Sequence, residues 1–180
     1  KTRVLKVPIL IGDEKEAIKE FKLVDDIIAK NEKYIFHAGS LSEEKDGIVK
    51  MESAFAKAAN SLKIKGIKLN LLLTNKKTQK EIWHNITAIL KNNNLSDHLI
   101  ITGFLSEAEL NYCLQNASVL MINKPITNQN KFNFPTKVGD YLNSKTPVVI
   151  AAKGLELNNY ITNGKEAIVV GPDDVDEMSR

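Results

Sequence analysis

The chain has 180 residues, 43% of them hydrophobic and 26% charged, an ordinary globular composition that excludes wholesale disorder, collagen and coiled coil. Its 25 basic and 22 acidic residues are interspersed and leave a net charge of +3, too mild to argue for nucleic acid and expected of a solvated mixed surface. The single cysteine, Cys113, excludes an internal disulfide and a cysteine-rich zinc site, and no apolar run approaches the ~18 residues that span a bilayer.

In chain order, residues 4–11 (V-L-K-V-P-I-L-I) read as an edge strand or linker, and 13–21 and 23–30 as short helices leading into a first core strand at 34–38. A helix is expected over 45–62, where Ile48, Met51, Phe55, Ala58 and Leu62 recur every three or four residues. A strand at 67–73 follows, then a helix over 78–92 with Ile82, Ile86 and Ile89 on one stripe, and a strand at 98–102. The helix over 106–115 opens with Ser106 and Glu109 at capping-box spacing. Beyond it lie a strand at 118–122, a polar loop at 123–131, a helix at 136–143, a strand at 147–151, a helix at 155–162, a strand at 166–170 and a helix at 173–180. Several strands are apolar on consecutive positions, as strands covered on both faces require. The alternation with short links predicts an α/β fold: a doubly wound, Rossmann-like parallel sheet with helices on both faces, a flavodoxin-like strand order being the alternative. Residues 1–33 read as a linker or edge segment entering a domain of 34–180. Ligands bind at strand C-terminal ends in such sheets, so the long loop after the strand at 118–122 is a place to look for function.

The G-x-G-x-x-G fingerprint, a Walker A loop, H-E-x-x-H, paired-cysteine zinc spacing and G-x-S-x-G are all absent from the sequence. Two strand-to-helix junctions stand out instead. The first is G-S-L-S-E-E-K-D-G at 39–47, which puts Lys45 near the start of a long helix. Unpaired N–H groups and a partial positive charge collect there. A lysine runs against that dipole, so a local anion would explain it; the plainer account is a surface lysine balanced by Glu43, Glu44 and Asp46. The second junction is N-K-F-N-F-P-T-K-V-G-D-Y-L at 130–142, where Pro135 and Thr136 start a helix with Lys137 in its first turn and Asp140 about one turn on. An amide-rich turn with a lysine suits a phosphate, and a carboxylate suits a pair of ribose hydroxyls; a plain loop–helix junction is the alternative.

These junctions, in their order, resemble the C-terminal donor-binding domain of a GT-B glycosyltransferase of the retaining family 4 (group 1) type. The first junction matches the family's G-R-L-x-x-x-K-G at Gly39, Leu41 and Lys45. I-T-G-F-L-S-E-A-E-L at 101–110 matches its Gly-aromatic step and acidic helix start, and A-S-V-L-M-I-N-K at 117–124 its A-D-V-F-V-L-P-S-like strand. F-P-T-K-V-G-D-Y-L-N-S-K-T-P-V-V at 134–149 resembles the P-T-K-x-G-E-Y-L-x-x-G-K-P-V-V form of its E-x7-E motif, and N-G-K-E-A-I-V-V at 163–170 the segment that follows. The resemblance covers about residues 34–180.

It implies that Lys45 holds a donor diphosphate and Asp140 the ribose hydroxyls, that Gly103, Phe104 and Leu105 border the base, and that the backbone at Asn133, Phe134, Pro135 and Thr136 meets phosphate or sugar oxygens. Gly39 and Ser40 belong to the first of these contacts. Ser40 stands where the family has arginine, and Lys137 is the expected replacement, making Lys45 and Lys137 the two cations expected to assist catalysis. Phe132 stands at the first glutamate of E-x7-E, so the sugar contact is missing or made differently. The implied activity is transfer of a hexose-type sugar from a UDP-, GDP- or ADP-sugar to a glycan or lipid-linked hydroxyl, with no metal and no cofactor besides that substrate. The implied setting is cytoplasmic, at the inner face of the membrane. The acceptor domain is expected to precede Lys1 and a C-terminal tail to follow Arg180, which makes the chain half of a two-domain enzyme, inactive alone. A non-catalytic nucleotide- or protein-binding module is the reading from another class.

The remaining candidates read as structural. Cys113 is expected in the core beside Leu110 and Leu114, and Trp83 at a helix–sheet interface. His37 ends a strand and could approach a ligand, but is read first as a satisfied structural histidine, while His84 and His98 are expected at the surface or a boundary.

Overall fold

The structure, a computed structural model, describes residues 17–74, 79–131 and 134–180. Its strands are β1 (Lys33–His37), β2 (Leu69–Leu73), β3 (Leu99–Ile101), β4 (Val119–Asn123), β5 (Val148–Ala151) and β6 (Ile168–Val170). They form one sheet in the order β3-β2-β1-β4-β5-β6, and every pairing is parallel. This is the doubly wound Rossmann order and replaces the flavodoxin-like alternative.

The helices are α1 (Lys22–Ala29), α2 (Glu43–Asp46), α3 (Ile48–Ile64), α4 (Lys80–Asn92), α5 (Glu107–Asn116), α6 (Asn128–Lys131), α7 (Lys137–Asn143) and α8 (Val175–Met178). Because strand side chains alternate between faces, Tyr34, Phe36, Leu120, Ile122 and Ile150 enter one core layer with α1, α5 and α7. Ile35, Leu69, Leu71, Leu73 and Met121 enter the other with α3, α4 and α8. Burial on both faces is why these strands carry near-continuous apolar runs.

Where the sequence signals are local and strong, the elements match them. Ser106 and Glu109 form the capping box: the Glu109 N–H donates to Ser106 Oγ at 3.3 Å, and Ser106 N–H donates to Glu109 Oε2 at 2.8 Å. Cys113 is fully buried, and Trp83 packs half-buried against the α3–α4 core layer. Within 1–33, Val24 and Ile27 of α1 are buried in the core.

Four segments differ from expectation. The helix expected over 45–62 is two helices, broken at Gly47, whose φ is +51°. The break is held from outside: Asn123 Nδ2 donates to the Gly47 carbonyl at 3.0 Å, and a Cβ at 47 would lie 2.8 Å from both Asp173 Oδ1 and Pro125 Cγ. The helix expected at 155–162 is only a 3-10 turn, Glu156–Asn159, because Gly154 precedes it at φ +86° and Asn158–Asn159 are weak helix formers. The helix at 173–180 shrinks to α8. Residues 17–21 are not helical, and the rest of the expected helix at 13–21 lies, with the edge strand at 4–11, outside the described residues. Among the described residues no helix is long and apolar enough to cross a membrane.

The order of connections reverses between β1 and β4, which are neighbours. A crevice therefore opens at their C-terminal ends, where the chains leaving the two strands run apart.

Candidate functional site

That crevice holds a cleft of about 220 Å³. His37 comes from the end of β1, Ser40 from the following turn, and Lys45 and Asp46 from α2. Ile122 and Lys124 come from β4 and the step beyond it, and Phe134, Pro135, Thr136 and Lys137 from the entry to α7.

Short local rules build each wall. Ser42 caps α2 by accepting from Lys45 N–H at 3.2 Å. The last carbonyls of α2, which a helix end leaves unpaired, are taken by side chains from the step after β4 and from α6. Lys124 Nζ donates to the Lys45 carbonyl at 3.2 Å, and Asn130 Nδ2 donates to the same oxygen at 3.1 Å. On the other wall the buried Tyr141 hydroxyl accepts from Ala38 N–H at 2.8 Å. This ties α7 to the end of β1. Lys137 shares that helix face, one turn earlier, and its Nζ comes to rest over Gly39. A Cβ at Gly39 would lie 2.6 Å from Lys137 Nζ and 3.0 Å from His37 Nε2. Glycine at 39 is what leaves both nitrogens facing one small space.

Asp46 is the acidic partner of the cleft and is only 4% exposed. Its Oδ1 accepts from Lys124 Nζ at 2.7 Å and its Oδ2 from Ser40 Oγ at 2.5 Å. Burial alone would raise its pKa. Hydrogen bonds from Lys124 and Ser40, with the Lys124 charge, outweigh burial and hold the carboxyl below its usual range. Burial depresses the Lys137 ammonium; Asp46 works against that, while Lys124 and Lys45 add to the depression. The cleft thus gathers three lysines around one carboxylate, an excess of positive charge in a partly dehydrated space.

His37 is 2% exposed. Its Nδ1 lies 3.2 Å from the Met121 carbonyl, which can only accept, so Nδ1 carries the proton. Nε2 has no hydrogen-bond partner among the described residues. Burial holds the imidazole below the usual histidine pKa, against the pull of the Met121 carbonyl, Asp46 and the nearby Ser40 backbone and with help from Lys137.

Ser40, Lys45, Phe134, Pro135, Thr136 and Lys137 therefore meet in one cleft, with Gly39 at its floor. Asp140 does not line that cleft; it lines a separate hollow of about 510 Å³ with Asn111, Gln115 and Ser144. Gly103, Phe104 and Leu105 lie on the loop after β3, two strands from β1 on the same sheet edge, with Phe104 99% exposed. Asn133 and Phe132 lie outside the described residues. Lys45 does not run against a helix dipole as expected: it sits in the last turn of α2, where a cation agrees with the dipole, and the start of α3 is occupied by Glu43 Oε2, which accepts from Val49 N–H at 2.9 Å. His98 is not at a boundary; it is buried, its Nδ1 2.6 Å from the Leu69 carbonyl, whereas His84 is exposed.

Sequence reasoning missed Asp46 and Lys124 and set His37 aside as structural. Lys124 carried a signal, being the first residue past a strand's C-terminal end. Asp46 carried none, because nothing local distinguishes it from Glu43 and Glu44.

The comparisons agree with this architecture. Residues 32–180 match the family model described as "Glycosyl transferases group 1". No curated protein sequence matches the chain. Among solved structures, Anabaena Alr3699/HepE in complex with UDP-glucose is similar with a TM-score of 0.69 at 15% identity, over 88% of this chain and 40% of that one. The pneumococcal O-GlcNAc transferase GtfA, in complex with UDP and GlcNAc, gives 0.60 at 14% identity, over 83% of this chain and 28% of that one. A putative UDP-N-acetylglucosamine 2-epimerase from Listeria monocytogenes gives 0.63 at 11% identity, over 91% and 39%. The chain thus spans between 28% and 40% of these structures. Likeness at such identities establishes the GT-B half-fold, which transferase and epimerase share, and not a reaction.

Proposed function

Because the chain belongs to the group 1 glycosyl transferases, we propose that it is the nucleotide-sugar-binding half of a glycosyltransferase, with the donor diphosphate held in the cleft between β1 and β4. The observation that carries this is the convergence of Lys45, Lys124 and Lys137 on one small space at the switch point of the sheet. At about 220 Å³ the cleft is smaller than the roughly 300–1,000 Å³ of whole-ligand pockets, which suits a diphosphate better than a complete nucleotide sugar. The nucleoside would extend along the sheet edge toward Gly103–Leu105, where the exposed Phe104 ring offers a face for a base. Asp140, one turn past Lys137, would take the ribose.

In the complete enzyme a hexose-type sugar would pass from a UDP-, GDP- or ADP-linked donor to a glycan or lipid-linked hydroxyl with retention at the anomeric carbon. Charge growing on the leaving diphosphate would meet lysines already in place, with no reorganisation at the moment of reaction. A partner domain would hold the acceptor against the anomeric carbon, with residues 1–33 entering the donor half from it. The setting would be the cytoplasm, at the inner face of a membrane. Structures similar to this chain carry UDP, UDP-glucose or GlcNAc, which supports a UDP-linked donor first.

A non-catalytic nucleotide-binding module is the second reading. It draws on Ser40, whose hydroxyl donates to Asp46 where the resemblance calls for a cation. Calorimetry with UDP-, GDP- and ADP-glucose tests the donor site: one of them is expected to bind, and heat from none would contradict both readings. Turnover by the full-length enzyme separates the two.

A further inference from the structure

Resting on the donor-site reading, we propose that His37 is a further donor-binding residue: its Nε2 takes a proton from solvent as the diphosphate enters and donates a hydrogen bond to a phosphate oxygen beside Lys137. Three observations converge on it. Nε2 is a buried polar atom that no described residue meets in hydrogen-bond geometry, the Ser40 backbone being near the ring without closing such a bond, and such atoms are costly unless a ligand or water pairs them. It borders the cleft, and a Cβ built on Gly39 would lie 3.0 Å from it and 2.6 Å from Lys137 Nζ, so the two nitrogens stand close enough together for one phosphate group to meet both. The ring is held in that direction by Nδ1 on the Met121 carbonyl.

The proton follows from charge. The groups facing the imidazole are Lys45 and Asp46 of α2, Lys124 beyond β4 and Lys137 of α7, with the neutral Tyr141 hydroxyl bonded to Ala38 behind them. Burial favours the neutral imidazole. A neutral Nε2 would set its lone pair against phosphate oxygens. A diphosphate brings negative charge to within contact and reverses the balance, so the protonated form becomes the better one. One proton goes from solvent to Nε2, and no other bond changes. The cation that Ser40 fails to supply would then appear only when the ligand is present.

The test is calorimetry with UDP-, GDP- and ADP-glucose, whose diphosphates lack a proton that titrates near neutrality, in buffers of different ionisation enthalpy. The chain is expected to take up a measurable fraction of a proton at about pH 7, and its affinity to rise as pH falls from about 8 to about 6, by at most about tenfold per unit. His37→Gln should bind several-fold more weakly, take up no proton and show no such pH dependence. If that variant fails to fold, NMR titration of the unaltered chain decides: the His37 pKa should climb on ligand binding. Binding without proton uptake, with an unmoved His37 titration, overturns the assignment and leaves the donor site standing. Binding of none of the three sugars overturns the donor site and the His37 assignment together.

Discussion

Asp46 and Glu52 are both buried carboxylates of the first strand-to-helix connection, one on each side of Gly47, and they are pushed in opposite directions. Asp46 faces the C-terminal edge of the sheet, where Lys124 and Ser40 bond both of its oxygens and keep it ionised. Glu52 sits in α3 with no exposure, neither oxygen has a hydrogen-bond partner among the described residues, and burial pushes its carboxyl up to about 8. Only Asp46 is set among charges contributed by another connection. That difference separates a site, where several elements converge on one charge, from a core position where an acid is merely enclosed.

The largest effect should come from breaking the paired side. Asp46→Ala leaves Lys124, whose side chain is 12% exposed, without its counter-charge, and removing one partner of a buried pair costs about 3–5 kcal/mol. Thermal melts should show that loss at neutral pH. The folded-state pKa of Asp46 is depressed, so its stabilising contribution is present above its unfolded value and disappears as pH falls through the folded one. The gap between the two proteins should therefore close in acid.

Glu52→Met should move the other way, with a gain on the order of 3 kcal/mol at neutral pH. A carboxyl raised to about 8 in the folded state costs nothing below its unfolded pKa of 4.5 and costs progressively more as pH climbs between the two values. Denaturant midpoints from acid to mildly alkaline pH should fall for the natural chain and stay level for the variant. Level behaviour in both would mean that Glu52 has a partner.

Gly39→Ala should be the smallest perturbation of the fold and a selective one of the site. The new Cβ meets the movable end of Lys137 at 2.6 Å and the fixed His37 ring at 3.0 Å. Stability should drop by no more than about 1 kcal/mol, while affinity for the donor falls severalfold as Lys137 is displaced. Equal losses in both would mean that the glycine serves packing alone.

The six strands and the capped start of α5 were legible because each rests on a local pattern, doubly apolar runs and Ser106 with Glu109, while the short links left two strand orders for the structure to choose between. The break at Gly47 was not, since Asn123, Pro125 and Asp173, all distant in sequence, impose it. The site divided along the same line. Lys45, Lys137, Gly39 and the Phe134–Thr136 turn were marked by motif order. Asp46 became visible only when β1 and β4 stood side by side, and the roles of Lys124 and His37, both at strand ends, come from contacts across that switch point.

Lys137, its Nζ over Gly39, is placed to hold a donor diphosphate. Calorimetric affinities of the chain and of Lys137→Ala for whichever nucleoside diphosphate binds, and for the matching nucleoside, test that role most directly. A charge-assisted phosphate contact in a partly buried site predicts a loss of about 10- to 100-fold for the diphosphate and none for the nucleoside. Equal affinity of the two proteins for the diphosphate would contradict the account.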